Sequence, residues 1–195
     1  SRKDSLIDEL AAVRSGILSN AEGQTIRAAI ADFDAGWAKY GDEATARVLK
    51  TYVADNPHPE TERAELVKAG RKPYDRSHAK FHPLLRRYIA DNGYEDLMLI
   101  SPDGHVLYTV NKLGDFAADL RSAEWQDTNL AKAFEDAIAA ETGTAVLYDL
   151  EPYQAHSGEP AGFMATPIGI GSKKLGVLVY QVPPDNISAT LGKYA

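Results

Sequence analysis

The sequence predicts an α+β fold, in which a long N-terminal helix and a further helical segment precede a five-stranded antiparallel sheet with flanking helices. Up to Gly93, apolar residues recur at steps of three and four, as on one face of a helix. From Asp96 onward the apolar period becomes two, as in strands. Short turns join several of these strands, and hairpin connections favour an antiparallel sheet over alternating parallel units.

The N-terminal region carries two apolar stripes at helical spacing. Their members are Leu6, Leu10, Val13 and Ile17, then Ile26, Ile30, Phe33 and Trp37. No proline occurs before Pro57, so the pattern predicts one long helix over about residues 4–39. Such a length is typical of a spacer, a bundle or a dimer seam. A helix lying along its own domain fits the pattern equally well.

Three more helices are predicted before the sheet. Asp42 is placed to cap the second helix, which ends at Asn56-Pro57 because a residue before proline disfavours helix. A short third helix covers about Glu60 to Ala69. Ser77 then caps a fourth helix, and Gly93 provides its C-terminal cap.

Five strands are predicted in the second part of the chain. They are Leu97–Ser101, Val106–Asn111, Ala145–Leu150, Gly162–Ile168 and Leu175–Val182. A helix over Asn129–Ala140 lies between the second and third strands, and Pro184 starts a last helix. This order is the layout of a PAS-like sheet. We therefore divide the chain into a helical region (residues 1–76) and a sheet core with a C-terminal helix (residues 77–195).

Composition excludes several function classes. The chain of 195 residues carries a formal charge of −7 and no run of basic residues interleaved with aromatic ones, which argues against nucleic acid as a partner. It contains no cysteine, so thiol catalysis and disulfides are excluded. No apolar run approaches the roughly 18 residues of a membrane-spanning helix. The sequence begins and ends abruptly, as we expect of a piece of a larger protein.

Two histidines are the candidate metal ligands. His78 and His82 are one helical turn apart, where two imidazoles share a face and can hold a metal ion. A catalytic zinc site needs a third ligand, and the glutamate of an HExxH motif is missing between them. Two histidines at a helix surface or an interface are the simpler interpretation. We therefore predict no metal and no other cofactor.

The clearest candidates for ligand contact are aromatic and polar residues of the sheet. Tyr108, Phe163 and Ala165 are predicted to line one sheet face. The long connection between the second strand and the next helix carries Trp125, and connections of this length are usually functional. Together they predict a small aromatic-walled pocket, with core packing as the alternative for each residue taken alone.

A polar cluster follows the third strand. Asp149 and Tyr153 place a carboxylate and a phenol at the rim of the sheet, which suits an orienting site for a small polar ligand. A solvated loop is the alternative.

Four phrases of the sequence carry a family resemblance. They are LMLISPDG, YTVNK, DLEPY, and ATPI followed by LGVLVYQVP. Together they resemble the Cache sensor domain of bacterial methyl-accepting chemotaxis proteins, most closely its single-Cache type, which also occurs on transmembrane cyclases and kinases. The resemblance covers roughly residues 77 to 191. It implies an extracytoplasmic module between two membrane helices, with a small ligand bound on the PAS-like sheet.

The resemblance also implies which residues form the pocket. They are Tyr108, Lys112, Trp125, Asp149, Tyr153 and Phe163. In this interpretation Asp149 and Lys112 orient a polar or charged ligand, and the aromatic rings are the walls. Because lysine and carboxylate are both available as countercharges, the sequence leaves the sign of the ligand's charge open.

The function that we expect is small-molecule sensing without catalysis. The chain would be the periplasmic domain of an inner-membrane chemoreceptor, and ligand binding would shift the terminal helices to signal across the membrane. Its partners would be a small ligand and a second copy of the chain paired through the N-terminal helix. The alternatives are the sensor domain of a transmembrane cyclase or histidine kinase, a ligand-free dimerisation module, and, least favoured, a metal-dependent hydrolase using His78 and His82.

Overall fold

The sheet is the element on which the rest of the chain packs. In the computed structural model, which describes residues 1–183, its strands are β1 (Asp96–Ile100), β2 (Val106–Thr109), β3 (Val146–Pro152), β4 (Pro160–Ile170) and β5 (Lys173–Val182). Their order is β2-β1-β5-β4-β3, and every neighbouring pair is antiparallel. The prediction of a five-stranded antiparallel sheet within an α+β fold is confirmed.

Helices cover both faces of this sheet. They are α1 (Arg2–Glu22), α2 (Gln24–Ala38), α3 (Ala44–Leu49), α4 (Pro73–Asn92) and α5 (Asn129–Ala139). The predicted helix that starts at Pro184 lies outside the described residues. Within residues 1–183, no helix is long and apolar enough to cross a membrane.

The prediction of one helix over residues 4–39 is wrong, because the helix is interrupted at Gly23. This residue has an extended backbone (φ −73°, ψ 151°), and its N–H donates to the Asn20 carbonyl 3.0 Å away. The break explains the shift between the two apolar stripes. It lets α1 and α2 each turn a buried face, with Ile17 and Ile30 fully enclosed, towards the sheet.

The segment between α2 and α4 is less helical than predicted. After a 3₁₀ turn at Gly41–Glu43, α3 passes into a π-helical turn at Lys50–Ala54. The predicted third helix is only a 3₁₀ turn over Glu60–Glu65.

The fourth helix begins earlier than predicted, at Pro73. Proline suits the first helical position because its missing N–H would be unpaired there, and the Asp75 carboxylate accepts from the Lys72 N–H at 3.1 Å. The predicted boundary between residues 76 and 77 therefore falls inside α4, and side chains from both sides of it share one core.

Two separate cores lie on the two faces of the sheet. The helix-side core packs α1, α2 and α4 against strand residues that include Leu99, Tyr108 and Leu178. The α5-side core packs α5 and the β2–α5 connection against Phe163 and Val179 among others. Both faces are covered, so the strands β1, β2, β4 and β5 are almost wholly buried.

A bulge in β2 decides which core each of its side chains enters. Ile100 pairs with Val106 but Leu99 pairs with Tyr108, so Leu107 is the extra residue. Val106 consequently faces the α5-side core, whereas Tyr108 faces the helix-side core. Regular alternation from Val106 would put both side chains on one face.

The helix-side core encloses the side chain of Lys112. Its ammonium donates to the Thr109 carbonyl and lies 4.2 Å from the centroid of the Tyr108 ring. Burial lowers the pKa of Lys112 to about 7, although the nearby Asp96 carboxyl raises it in part. Burial raises the pKa of Asp96, whose Oδ1 accepts from the Val110 N–H at 3.0 Å.

This buried lysine predicts a pH-dependent stability that Lys112→Met removes. Between pH 7 and 10.5 the unfolded chain holds the Lys112 proton and the folded chain loses it, so the destabilisation caused by burying this group decreases as pH rises. In urea unfolding between pH 7 and 10, the wild type should gain on the order of 3 kcal/mol relative to Lys112→Met. The exposed Lys132→Met serves as control and should give no such gain. Parallel pH profiles of wild type and Lys112→Met would contradict the assignment.

Candidate ligand-binding site

A cavity of about 360 Å³ opens between the start of α5, the end of β3 and the first half of β4. Its lining residues are Glu124, Trp125, Asp127, Thr128, Asn129, Glu151, Pro152, Tyr153, Gln154, Ala161 and Phe163. The volume falls in the range of small-molecule sites, about 300–1,000 Å³. It lies on the α5 side of the sheet.

Three aromatic rings form the walls and floor. Phe163 is fully buried on β4, Tyr153 is buried beside it, and Trp125 is partly exposed at the mouth. The Tyr153 and Phe163 ring centroids are 5.1 Å apart with planes at 76°, and those of Trp125 and Tyr153 are 6.2 Å apart at 68°. Edge-to-face packing of this kind is favourable and orients each ring relative to the next.

A buried hydrogen bond holds the central ring in place. The Tyr153 hydroxyl donates to Asp115 Oδ2 at 2.8 Å, which ties the end of β3 to the connection after β2. Burial raises the pKa of Asp115, and the bond from Tyr153 acts in the opposite direction. The other oxygen of this carboxyl is buried without a hydrogen-bond partner among the described residues.

The position of Trp125 depends on the N-terminal cap of α5. Thr128 Oγ1 accepts from the Ala131 N–H at 3.2 Å and donates to the Trp125 carbonyl at 2.7 Å. The Thr128 N–H donates to the same carbonyl at 3.0 Å. Two hydrogen bonds from Thr128 therefore fix the backbone of the turn that carries the indole.

The structure brings three of the predicted pocket residues together around the cavity: Trp125, Tyr153 and Phe163. Ala165 is buried on the same side of the sheet, two residues further along β4, outside the lining. Asp149 is exposed, and its Oδ1 accepts from the Leu150 N–H at 2.6 Å. Its carbonyl, not its carboxylate, faces the site by accepting from Asn129 Nδ2 at 2.9 Å.

Tyr108 and Lys112 lie elsewhere, in the helix-side core on the other face of the sheet. The expectation that Tyr108 shares a face with Phe163 is therefore corrected, and the bulge at Leu107 is the reason. Lys112 follows Tyr108 into the same core, where its carbonyl accepts from Arg63 Nη1 at 2.9 Å.

Sequence reasoning missed the polar part of the lining. Glu124, Asp127 and Asn129 lie close to Trp125 in the sequence, and Glu151 stands two residues before Tyr153. Residues two apart near a strand end share a face of the sheet, so the spacing of Glu151 from the predicted pocket residue Tyr153 indicated that both lie at the site. The others resembled ordinary solvated turn residues.

The two histidines form a buried stacked pair with their own hydrogen bonds. The ring centroids of His78 and His82 are 4.3 Å apart. His82 accepts from the Tyr108 hydroxyl at 2.6 Å and donates to the Ala64 carbonyl at 2.7 Å, while His78 donates to the Val67 carbonyl at 3.0 Å. Burial lowers the pKa of His82 to about 3, so its ring is neutral.

The hydrogen bonds of His78 and His82 to the Val67 and Ala64 carbonyls attach the segment around the 3₁₀ turn at Glu60–Glu65 to α4.

Over residues 1–183, no group of three or more histidine, cysteine, aspartate or glutamate side chains is arranged to hold a metal ion.

No family model and no curated protein matches the sequence. The structure is similar to the sensor domain of the Vibrio cholerae histidine kinase DctB, with 16% identity, coverage of 84% of this chain and 59% of that one, and a TM-score of 0.45.

Two chemoreceptor domains give similar values. The ligand-binding domain of Campylobacter jejuni Tlp3, in complex with L-norvaline, has 13% identity, 93% and 64% coverage, and a TM-score of 0.43. That of Pseudomonas fluorescens CtaA, in complex with L-serine, has 16% identity, 76% and 55% coverage, and a TM-score of 0.36. The chain spans less than two thirds of each of these three proteins' chains. Its structural neighbours are sensor domains of chemoreceptors and of a histidine kinase.

Proposed function

We propose that this chain is a small-molecule-sensing domain of a bacterial membrane receptor. The observation that carries the proposal is the cavity walled by Trp125, Tyr153 and Phe163 above the sheet. A concave site with aromatic walls and a few polar groups is the usual form of a small-ligand site.

The alternative of a ligand-free dimerisation module fits less well. That module needs a sheet face packed solid beneath residues 113–128, and the cavity lies beneath residues 124–128. The hydrolase alternative relied on His78 and His82, whose rings lie in the helix-side core and bond to Tyr108, Ala64 and Val67.

Signal transmission through β5 is supported by the strand register. Phe163, on the floor of the cavity, pairs directly with Gln181 near the end of β5. Gln181 Nε2 lies 3.2 Å from His156 Nδ1, in the turn that follows Tyr153, and donates to Glu95 Oε2 at 3.1 Å. A ligand that draws this turn inward would therefore pull on the last strand before the C-terminal segment. Helix shifts of about 1–2 Å are sufficient for signalling in known switches.

The setting of the domain is also part of the proposal. The resemblance of residues 77–191 to single-Cache domains supports a periplasmic location, with chemotaxis as the output of the parent receptor. A homodimer would use the first turns of α1, where Ile7 is 41% exposed. A hybrid receptor that carries this domain on a chemotaxis signalling module tests the output by its ligand-dependent swimming bias.

The cavity predicts a ligand response that Trp125→Ala abolishes. In a thermal-shift screen of small carboxylates, amines and amino acids, a binder at 100 times its Kd should stabilise the native state by about 2.7 kcal/mol. Trp125→Ala should lose most of this shift because the mouth of the cavity is removed. Leu84→Ala, at an exposed apolar residue of α4, is the control and should keep it. A library without any binder, or an unchanged shift in Trp125→Ala, would refute the proposal.

The transmission route predicts that Gln181→Leu separates binding from response. The substitution keeps similar volume and removes the bonds to His156 and Glu95. We expect ligand affinity to change less than about threefold, while ligand-induced hydrogen-exchange protection of β5 is lost. Gln24→Leu, at the exposed start of α2, should behave as wild type. Retained protection in Gln181→Leu would show that the signal leaves the cavity by another route.

A further inference from the structure

We infer that the cavity takes a small organic cation, a primary amine or a quaternary ammonium compound, held by aromatic rings and acceptor oxygens. This inference rests on the proposed function, because it names the class of ligand for the same site. Two observations support it independently: the sign of the lining charges and the arrangement of the rings.

Every charged residue in the lining is acidic. Glu124, Asp127 and Glu151 contribute three carboxylates, and the described residues of the lining include no lysine, arginine or histidine. None of the three makes an ion pair within residues 1–183. Lys112, the countercharge expected from the sequence, is enclosed in the helix-side core. Because Lys112 is buried in the other core and the three carboxylates remain at the cavity, the charges of the site favour a cationic ligand.

The rings suit a cation. Trp125, Tyr153 and Phe163 meet at interplanar angles of 68° and 76°, so their planes bound the cavity from different directions. A cation near the face of such a ring is attracted by its quadrupole, most strongly for tryptophan. Cages of this kind recognise ammonium groups that carry methyl substituents.

Three side-chain donors beside the cavity are already used. The Tyr153 hydroxyl donates to Asp115, the Thr128 hydroxyl to the Trp125 carbonyl, and Asn129 Nδ2 to the Asp149 carbonyl. What these side chains still offer is mainly lone pairs, including Asn129 Oδ1, and these accept hydrogen bonds from an ammonium. The Trp125 indole N–H, the Gln154 amide and the second Asn129 Nδ2 hydrogen remain as donors, so the choice of a cation rests on the lining charges and the rings.

One feature acts against a cation, namely the N-terminus of α5 at Asn129. A helix N-terminus carries about half a positive charge and attracts anions. Here the Thr128 side chain already accepts from the Ala131 N–H. Three full carboxylates around the same cavity outweigh half a charge, so the site stays attractive to cations.

The decisive experiment compares probes of one shape and four charge states on the whole 195-residue chain. They are choline (cation), glycine betaine (zwitterion), 3,3-dimethylbutan-1-ol (neutral) and 3,3-dimethylbutanoate (anion). A second pair is 3-methylbutylamine with leucine. By calorimetry we expect each cation to bind at least about tenfold more tightly than its neutral or zwitterionic counterpart, and the anion not to bind. Raising the salt concentration should weaken cation binding alone.

Variants separate the charge from the rings. Glu124→Gln, Asp127→Asn and Glu151→Gln should each weaken choline or 3-methylbutylamine by about two- to fivefold and leave the neutral alcohol unaffected. Trp125→Leu keeps an apolar wall but loses the ring, and should weaken the cations by about three- to thirtyfold. Glu159→Gln, an exposed acid outside the lining, is the matched control and should change nothing.

The outcomes distinguish this inference from the proposed function. If the anion, the zwitterion or leucine binds more tightly than its cationic counterpart, the cation class is wrong and ligand binding stands. The same holds if none of these probes binds but the wider screen finds a binder that Trp125→Ala abolishes. If no compound of any charge binds, both the cation class and the sensing function are overturned.

Discussion

Burial of the sheet on both faces is the constraint on which the rest of the structure depends. In β1, β2 and the buried parts of β4 and β5, each side chain enters either the helix-side core or the α5-side core, and a shift of one residue exchanges the two. The extra residue Leu107 makes such a shift within β2. It sends Tyr108 to His82 and α4, where the hydroxyl bonds to the imidazole, and the following turn takes Lys112 in the same direction. Tyr108 and Lys112 are therefore not among the described residues that line the cavity on the other face.

The outcome is a segregation of charge by the two faces. The helix-side core holds the neutral stacked histidines and an enclosed lysine, each with hydrogen-bond partners that reduce the cost of burial. The α5 side retains only acidic charge around its cavity, at exposed positions where carboxylates stay hydrated. A ligand that displaces some of this water must offset the negative charge of the carboxylates. The sign of the ligand's charge therefore matters more for binding than the size of the ligand.

Most of the sheet could be predicted from the sequence, because period and turn chemistry are local properties. Every predicted strand end lies within two residues of the observed one. The failures have non-local causes. Extended backbone at Gly23 depends on how α1 and α2 pack, and the bulge at Leu107 appears only when β1 and β2 are paired. Glu124 and Asp127 can be recognised as lining residues only when the tertiary structure places β3 opposite the turn that carries them.

The position of the cavity within the sheet also bears on how it would signal. One of its walls is the end of β3, which lies at an edge of the sheet, pairs with β4 alone within residues 1–183 and changes register between Tyr148 and Glu151. Its floor is β4, which is paired on both sides and buried along nearly its whole length. Edge segments with few buried contacts open at low free energy, whereas a central strand does not. Ligand closure should therefore move the β3 end and its turn against a fixed floor. Because His156 in that turn contacts Gln181, the movement that we propose would reach β5 through this side-chain contact.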